Sequence, residues 1–354
     1  MVKDILKHVL GIDVAQKELV VTLGRLAQNL SINLYAYKVF KNNRKGFVSL
    51  IKWLKKQVDD VSEVIFVMEA TGVYHQKFAY YLNSQSYKVS IVLPNKISNY
   101  MRTLDTKTIT DKTASQAICQ FGLERNLDYW EPPKEVYKEL KQLVREREQI
   151  VQERSIVKNQ LHAEKSEAYP GKRSIKRFEA RIKFLNEQEK QIKDDIKEIL
   201  NKEENIELKE EINRLSTIPG VGCLTAVIVL AETNGFELIR NKRQLTSYAG
   251  LDVKEKQSGT SVRKKPRISK KGNKYLRKAM HFPALTAIKY SERYKEYYKR
   301  LVSKSGIKMK GVVAVQRKLL ELIYVMYKNK TVYQENYEQE KRAAVHLETA
   351  TLGN

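Results

Sequence analysis

The sequence predicts an α/β N-terminal domain, an antiparallel coiled-coil hairpin and a mainly α C-terminal domain. Three observations lead there. Short β-branched runs alternate with helix-patterned segments over the first 93 residues. Two heptad-patterned stretches then flank Tyr169-Pro170-Gly171. Beyond Leu215 the pattern is again helical, broken by a basic loop containing Gly and Ser over residues 251–272. The predicted boundaries are residues 1–130, 131–210 and 211–330, with a polar tail at 331–354. A chain of 354 residues is long for one core, so several units are the prior.

In the first unit, residues 8–14, 19–23 and 33–40 read as strands. Residues 46–58 read as a helix, with Phe47, Leu50, Ile51 and Leu54 on one face. Residues 64–68 suit a buried strand. A helix over 73–85, a strand over 88–93 ended by Pro94, and a helix over 111–123 complete a sheet covered by helices. Pro132-Pro133 breaks the chain. Val136, Leu140, Leu143, Arg147, Ile150, Arg154, Val157 and Leu161 then recur in steps of four and three. Ile175, Phe178, Ile182, Leu185, Glu189, Ile192, Ile196 and Ile199 do the same past the turn. Such a hairpin serves equally as a rigid spacer or as a dimerisation arm. A last apolar helix is expected over 309–327.

The formal net charge of +25 and a pI of about 9.7 point to a polyanion, and phosphate is the usual one. The apolar runs are too short for a bilayer and no export signal is legible, so a cytoplasmic protein without membrane contact is expected. Cys119 and Cys223 alone allow neither a disulfide framework nor a cysteine zinc site. The histidines are scattered, with no ligand-like spacing.

Three motifs carry possible chemistry. Asp13 in Gly11-Ile12-Asp13-Val14 and Glu69 in Met68-Glu69-Ala70-Thr71-Gly72 close predicted strands, and Asp111 opens a predicted helix. Carboxylates converging from strand ends are what a hard divalent cation requires. Singly, the first two could be turn formers and Asp111 an N-cap. The second motif is Ile218-Pro219-Gly220-Val221-Gly222. It has the form of a helix-hairpin-helix, in which Pro219, Gly220 and Gly222 let backbone amides approach a phosphate; the plainer reading is a tight helix–helix turn. The third is the basic run holding Arg263, Lys264, Lys265, Arg267, Lys270, Lys271, Lys274 and Arg277, where Glu255 is the sole acid between Lys254 and Lys278. Within it, Ser258 precedes Gly259 and could approach phosphorus in line, although most serines in polar loops are only loop residues.

In this order the residues resemble the RuvC-like (DEDD) insertion-sequence transposases, also described as bridge-RNA-guided recombinases, with the pilin-gene invertases as relatives. Thr110-Asp111-Lys112-Thr113-Ala114, Phe121-Gly122, Tyr248-Ala249-Gly250-Leu251, Gln257-Ser258-Gly259 and Ile268-Ser269-Lys270-Lys271-Gly272-Asn273 extend the match over residues 9–329. The resemblance implies an RNase H-like domain binding Mg2+ through four acids, and a serine that holds cut DNA as a phosphoserine. It further implies active sites assembled between protomers of a homodimer or homotetramer, and a structured guide RNA pairing with donor and target DNA. By motif the acids are Asp13, Glu69 and Asp111, and the nucleophile is Ser258. One departure stands out: the family has a fourth acid three residues after Asp111, where this chain has Ala114. A methyl group ligates nothing, so the site should hold metal poorly. The other motifs are intact, which argues against long drift and for an engineered Asp-to-Ala inactivation over a natural variant.

Rival readings remain open on sequence. A structure-selective resolvase would use the same acids without needing Ser258. A 3′–5′ exonuclease would want a Glu where Ala15 stands. A non-catalytic RNA- or DNA-binding protein fits the charge together with Ala114. A tyrosine recombinase would need a basic and histidine constellation that is not found.

Overall fold

The computed structural model describes residues 5–70, 72–104, 108, 110–237, 239–258 and 262–335, with the backbone alone at 256–258 and 262–265. The chain divides into two compact units, residues 1–132 and 133–354.

Unit one is built on a mixed five-stranded sheet. Strands β1 (Ile5–Val14), β2 (Glu18–Ala27) and β3 (Ile32–Lys41) form an antiparallel meander. On the free side of β1 lies β4 (Val64–Glu69), parallel to it, followed by the parallel β5 (Lys88–Val92), giving the order β3-β2-β1-β4-β5. Helices α1 (Arg44–Leu54) and α2 (Gln76–Asn83) cover one face, where Phe47, Leu50, Phe78 and Leu82 pack on Leu10, Ile12 and Phe66. Helices α3 (Pro94–Met101) and α4 (Asp111–Glu124) cover the other, with Ile97, Ile118 and Leu123 against Val9 and Val67. Two expectations need correction. The helix expected over 73–85 begins only at Gln76, after Gly72 turns the chain with a φ of +56°. Pro94 ends β5 but also opens α3, because its fixed φ and missing N–H suit the first helical position.

Unit two begins with α5 (Glu135–Ser166) and α6 (Lys172–Asn201), two long helices packed together. The cross-pairs Arg154–Glu189 and Lys165–Glu179 run in opposite sequence directions, so the hairpin is antiparallel. Leu140, Val144, Ile150 and Val157 are buried against it from α5, and Leu185, Ile192, Ile196 and Ile199 from α6. The polar heptad positions Arg147, Arg154 and Glu189 meet inside this seam. Arg147 Nη2 donates to Glu189 at 2.7 Å, Lys193 lies at 2.9 Å, and Arg154 donates to the other oxygen. Burial alone would raise Glu189, but Lys193, Arg154 and Arg147 outweigh it and hold the carboxyl at about 2.

Helices α7 (Ile206–Leu215), α8 (Cys223–Thr233) and α9 (Lys242–Tyr248) follow. Next come β6 (Val253–Ser258) and β7 (Val262–Ile268), then α10 (Lys274–Ala279), α11 (His281–Tyr290), α12 (Glu292–Ser305) and α13 (Lys308–Asn329). The segment expected as a basic loop is thus largely an antiparallel hairpin. Its charged residues hide the alternation that normally reveals a strand. Pro266 survives in β7 because the register shifts beside it, between the Lys254↔Arg267 and Lys256↔Lys264 pairs. Among the described residues no helix is long and apolar enough to cross a membrane.

Candidate active site

Strand periodicity places the acids. Successive side chains alternate faces, so Asp13 shares the α4 face with Val9 and Gly11, while Leu10 and Ile12 point the other way. On β4 the same rule puts Glu69 with Val67. Ile12 is level with Met68 across the parallel pair, which sets Asp13 abreast of Glu69 at the strand ends.

Helix α4 lies on these strands at close range. A Cβ at Gly11 would stand 2.5 Å from Ser115 O and 2.2 Å from Cys119 N, so only glycine admits the helix there. At Gly122 it would meet Val9 and Val67 at 2.8 and 2.9 Å. Gly122 lies over Val9 and Ser115 over Gly11, so the helix runs antiparallel to β1 and brings its first turn towards Asp13. Ser115 is buried and shares a 2.8 Å hydrogen bond with Thr22 of β2. Asp111 is not the N-cap: Thr110 is. Thr113 N–H donates to Thr110 Oγ1 at 3.2 Å and Thr110 N–H donates to Thr113 Oγ1 at 2.8 Å, a reciprocal box that fixes Asp111 at the first helical position.

Asp13 feels the other two carboxylates. Asp13 is pushed up to about 6, first by burial and then by the negative charges of Asp111 and Glu69, partly offset by the Val14 N–H. Carboxylate oxygens are the donor type that a hard divalent cation prefers. Among the described residues, however, no group of three His, Cys, Asp or Glu is arranged to hold an ion. Ala114, one turn along from Asp111 and half-buried, adds no donor.

In unit two, Ser258 is the last residue of β6, opposite Val262 in register. Thr71, Gly259, Thr260 and Ser261 lie outside the described residues, as do the side chains of Arg263, Lys264 and Lys265. Arg267, Lys270, Lys271 and Lys274 are exposed. Arg277 instead donates to the carbonyls of Ala249 at 2.8 Å and Gly272 at 3.2 Å, closing the base of the β6–β7 hairpin. The Pro219-Gly220 turn joins α7 to α8. Gly220 takes a φ of +84°, and a Cβ there would meet Pro283 O at 2.4 Å, so this glycine serves packing on α11. Gly222, the N-cap of α8, is open to solvent. Pro219 is half-buried.

Sequence reasoning missed Glu232. Its side chain is fully buried, with Arg145 donating in a fork at 2.7 and 2.9 Å and Asn273 Nδ2 donating at 2.7 Å. Burial would raise this carboxyl, but Arg145, Asn273 and Lys141 hold it below its ordinary value. Asn273 Oδ1 also caps α10. Glu232 therefore ties α5 to the segment leaving the hairpin. Its one trace in the sequence is an acid directly after the apolar run 225–231, which by itself names no partner.

The sheet of unit one thus sets Asp13 and Glu69 abreast at neighbouring strand ends, and a cation-rich, mainly helical unit follows it in the chain. A model described as "Transposase" matches residues 10–170, and one described as "Transposase IS116/IS110/IS902 family" matches residues 212–299. The chain thus carries both of these transposase domains, which makes it a DNA transposase or invertase by class. It is 27% identical over 321 residues to a "Pilin gene-inverting protein" of Moraxella bovis, covering 90% of this chain and 95% of that one. A "Transposase for insertion sequence element IS1111A" of Coxiella burnetii is 28% identical over 151 residues, 38% of this chain and 41% of that protein. Among solved structures, T. thermophilus RuvC in complex with Holliday junction substrate matches at 10% identity over 33% of this chain and 97% of that one. Its TM-score is 0.25, too slight to bear on the fold.

Proposed function

We propose that the chain is a DNA recombinase of a mobile element, cutting and rejoining DNA through a phosphoserine at Ser258 with help from a magnesium site on an RNase H-like unit. The observation that supports the reading is Asp13 lying abreast of Glu69 at neighbouring strand ends, with its carboxyl raised to about 6 by burial first and then by the charges of Asp111 and Glu69. Bound magnesium would supply Lewis-acid stabilisation of phosphate oxygens. In the proposed step the Ser258 hydroxyl gives up its proton and forms a bond to phosphorus. One bridging P–O bond breaks, and the departing sugar oxygen takes up a proton. The phosphodiester energy is kept in the adduct, so reversal onto a new strand rejoins DNA. Exposed Arg267, Lys270, Lys271 and Lys274, and the open amides at Gly222, would hold phosphates. Donor and target DNA, a structured guide RNA and a homodimer or homotetramer complete the reading, supported by the family resemblance and the charge of +25.

With Ala114 in place, the chain should bind nucleic acid yet cleave poorly. The test is a suicide-substrate assay on Ala114→Asp in magnesium. A protein–DNA adduct mapping to Ser258, absent after Ser258→Ala, is expected. Cleavage without an adduct would favour a resolvase-like nuclease, and an adduct elsewhere would move the nucleophile.

A further inference from the structure

Unit two holds a cleft of about 1150 Å³ beside α12 and α13, well away in sequence from the β6–β7 hairpin. Its walls carry Arg293, Tyr297 and Arg300 from α12, Lys318 from α13, Lys242 from α9, and Tyr333 just after α13. The spacing of 293, 297 and 300 puts cation, aromatic ring and cation on one helix face, spanning about 10 Å along the axis. The Arg300 guanidinium lies over the Tyr297 ring, 5.4 Å from its centroid. Two carboxylates, Glu296 and Glu321, also line the cleft, but Glu321 is held by Arg317 at 3.0 Å and Lys318 at 3.6 Å. Arg293 and Arg300 are exposed, Tyr297 half-buried.

We propose that this cleft binds an unpaired stretch of nucleic acid, stacking bases on Tyr297 and Tyr333 and taking phosphates on Arg293, Arg300 and Lys242. The inference deepens the nucleic-acid reading above and rests on it. A convex run of lysines needs only the outside of a duplex. A concave site pairing arginines with tyrosines offers something else: rings on which a base can stack once it has left its partner. Part of the wall, Lys318 and Tyr333 included, lies past residue 299, where the family match ends.

The test is fluorescence anisotropy on the full chain with labelled single-stranded RNA and DNA of one sequence, about 12 nucleotides long, and with the matching duplex. Tyr297→Leu should weaken single-strand binding about tenfold while changing duplex binding less than about twofold, and Tyr297→Phe should restore it. Arg293→Ser with Arg300→Ser should flatten the single-strand salt slope by about 1.4. Circular dichroism confirms that each variant folds. Tighter RNA than DNA binding would assign the site to an RNA loop, and equal binding would fit a displaced DNA strand as well; either supports the shared chemistry. Unchanged single-strand affinity in these variants, or equal loss on duplex, would overturn the cleft's role. If the unaltered chain bound no nucleic acid at all, the broader reading would fall with it.

Discussion

At the scale of residues, Asp13 is a carboxyl whose charge is opposed by burial and by its neighbours. Its folded pKa, about 6, stands above the ordinary 3.8, so the fold resists its charge. The stability this group confers is complete below about 3.8 and is lost as pH rises through about 6. Asp13→Asn should therefore stabilise the metal-free protein at pH 7, on the order of 1 kcal/mol after solvent screening, and flatten the pH dependence of unfolding between those values. Chemical denaturation at pH 4 and pH 7 measures it; an equal effect at both would contradict the account. Asp13, Glu69 and Asp111 stand out in the sequence because each lies at the end or start of a well-patterned element. Glu232 does not, because only the folded chain brings Arg145 and Asn273 to it from positions 87 residues before and 41 after.

Among the elements, legibility tracked apolar content. β1, β4, α4 and the two long helices have periodic cores and stood where expected. The β6–β7 hairpin is held by backbone pairing and by contacts at its base, and its lysines and arginines carry no period-2 apolar signal. α3 was missed because a proline read as a stop is equally a start. The α5–α6 hairpin buries its seam, yet Ile156 and Phe184 remain 58% exposed on its outside. Ile156→Ser with Phe184→Ser should reduce the mass measured by light scattering while leaving helicity unchanged. A constant mass would make the hairpin a spacer rather than a dimerisation arm.

For the whole molecule, the net charge of +25 is the dominant fact. Binding to DNA should be governed by phosphate contacts and fall about a thousandfold between roughly 50 and 200 mM salt. A nearly flat plot of log affinity against log salt would count against this. Charge was fully legible in the sequence, but its placement was not. Arg277 belonged to the expected nucleic-acid set and is engaged with backbone carbonyls instead, whereas Arg293 and Arg300 lay outside that set and line a cleft.

The contact between α4 and the sheet has a consequence for what evolution or engineering can alter. Gly11 and Gly122 act as detents, locking the rotational phase of the helix against the strands beneath it. Removing one residue between positions 115 and 121 would turn the first helical turn by about 100° and swing Asp111 off its bearing, with every carboxylate still present in the sequence. Substitution at position 114 leaves that phase untouched. A single exchange at 114 thus changes the donor set without moving Asp111, whereas a one-residue change in length within the helix would move it.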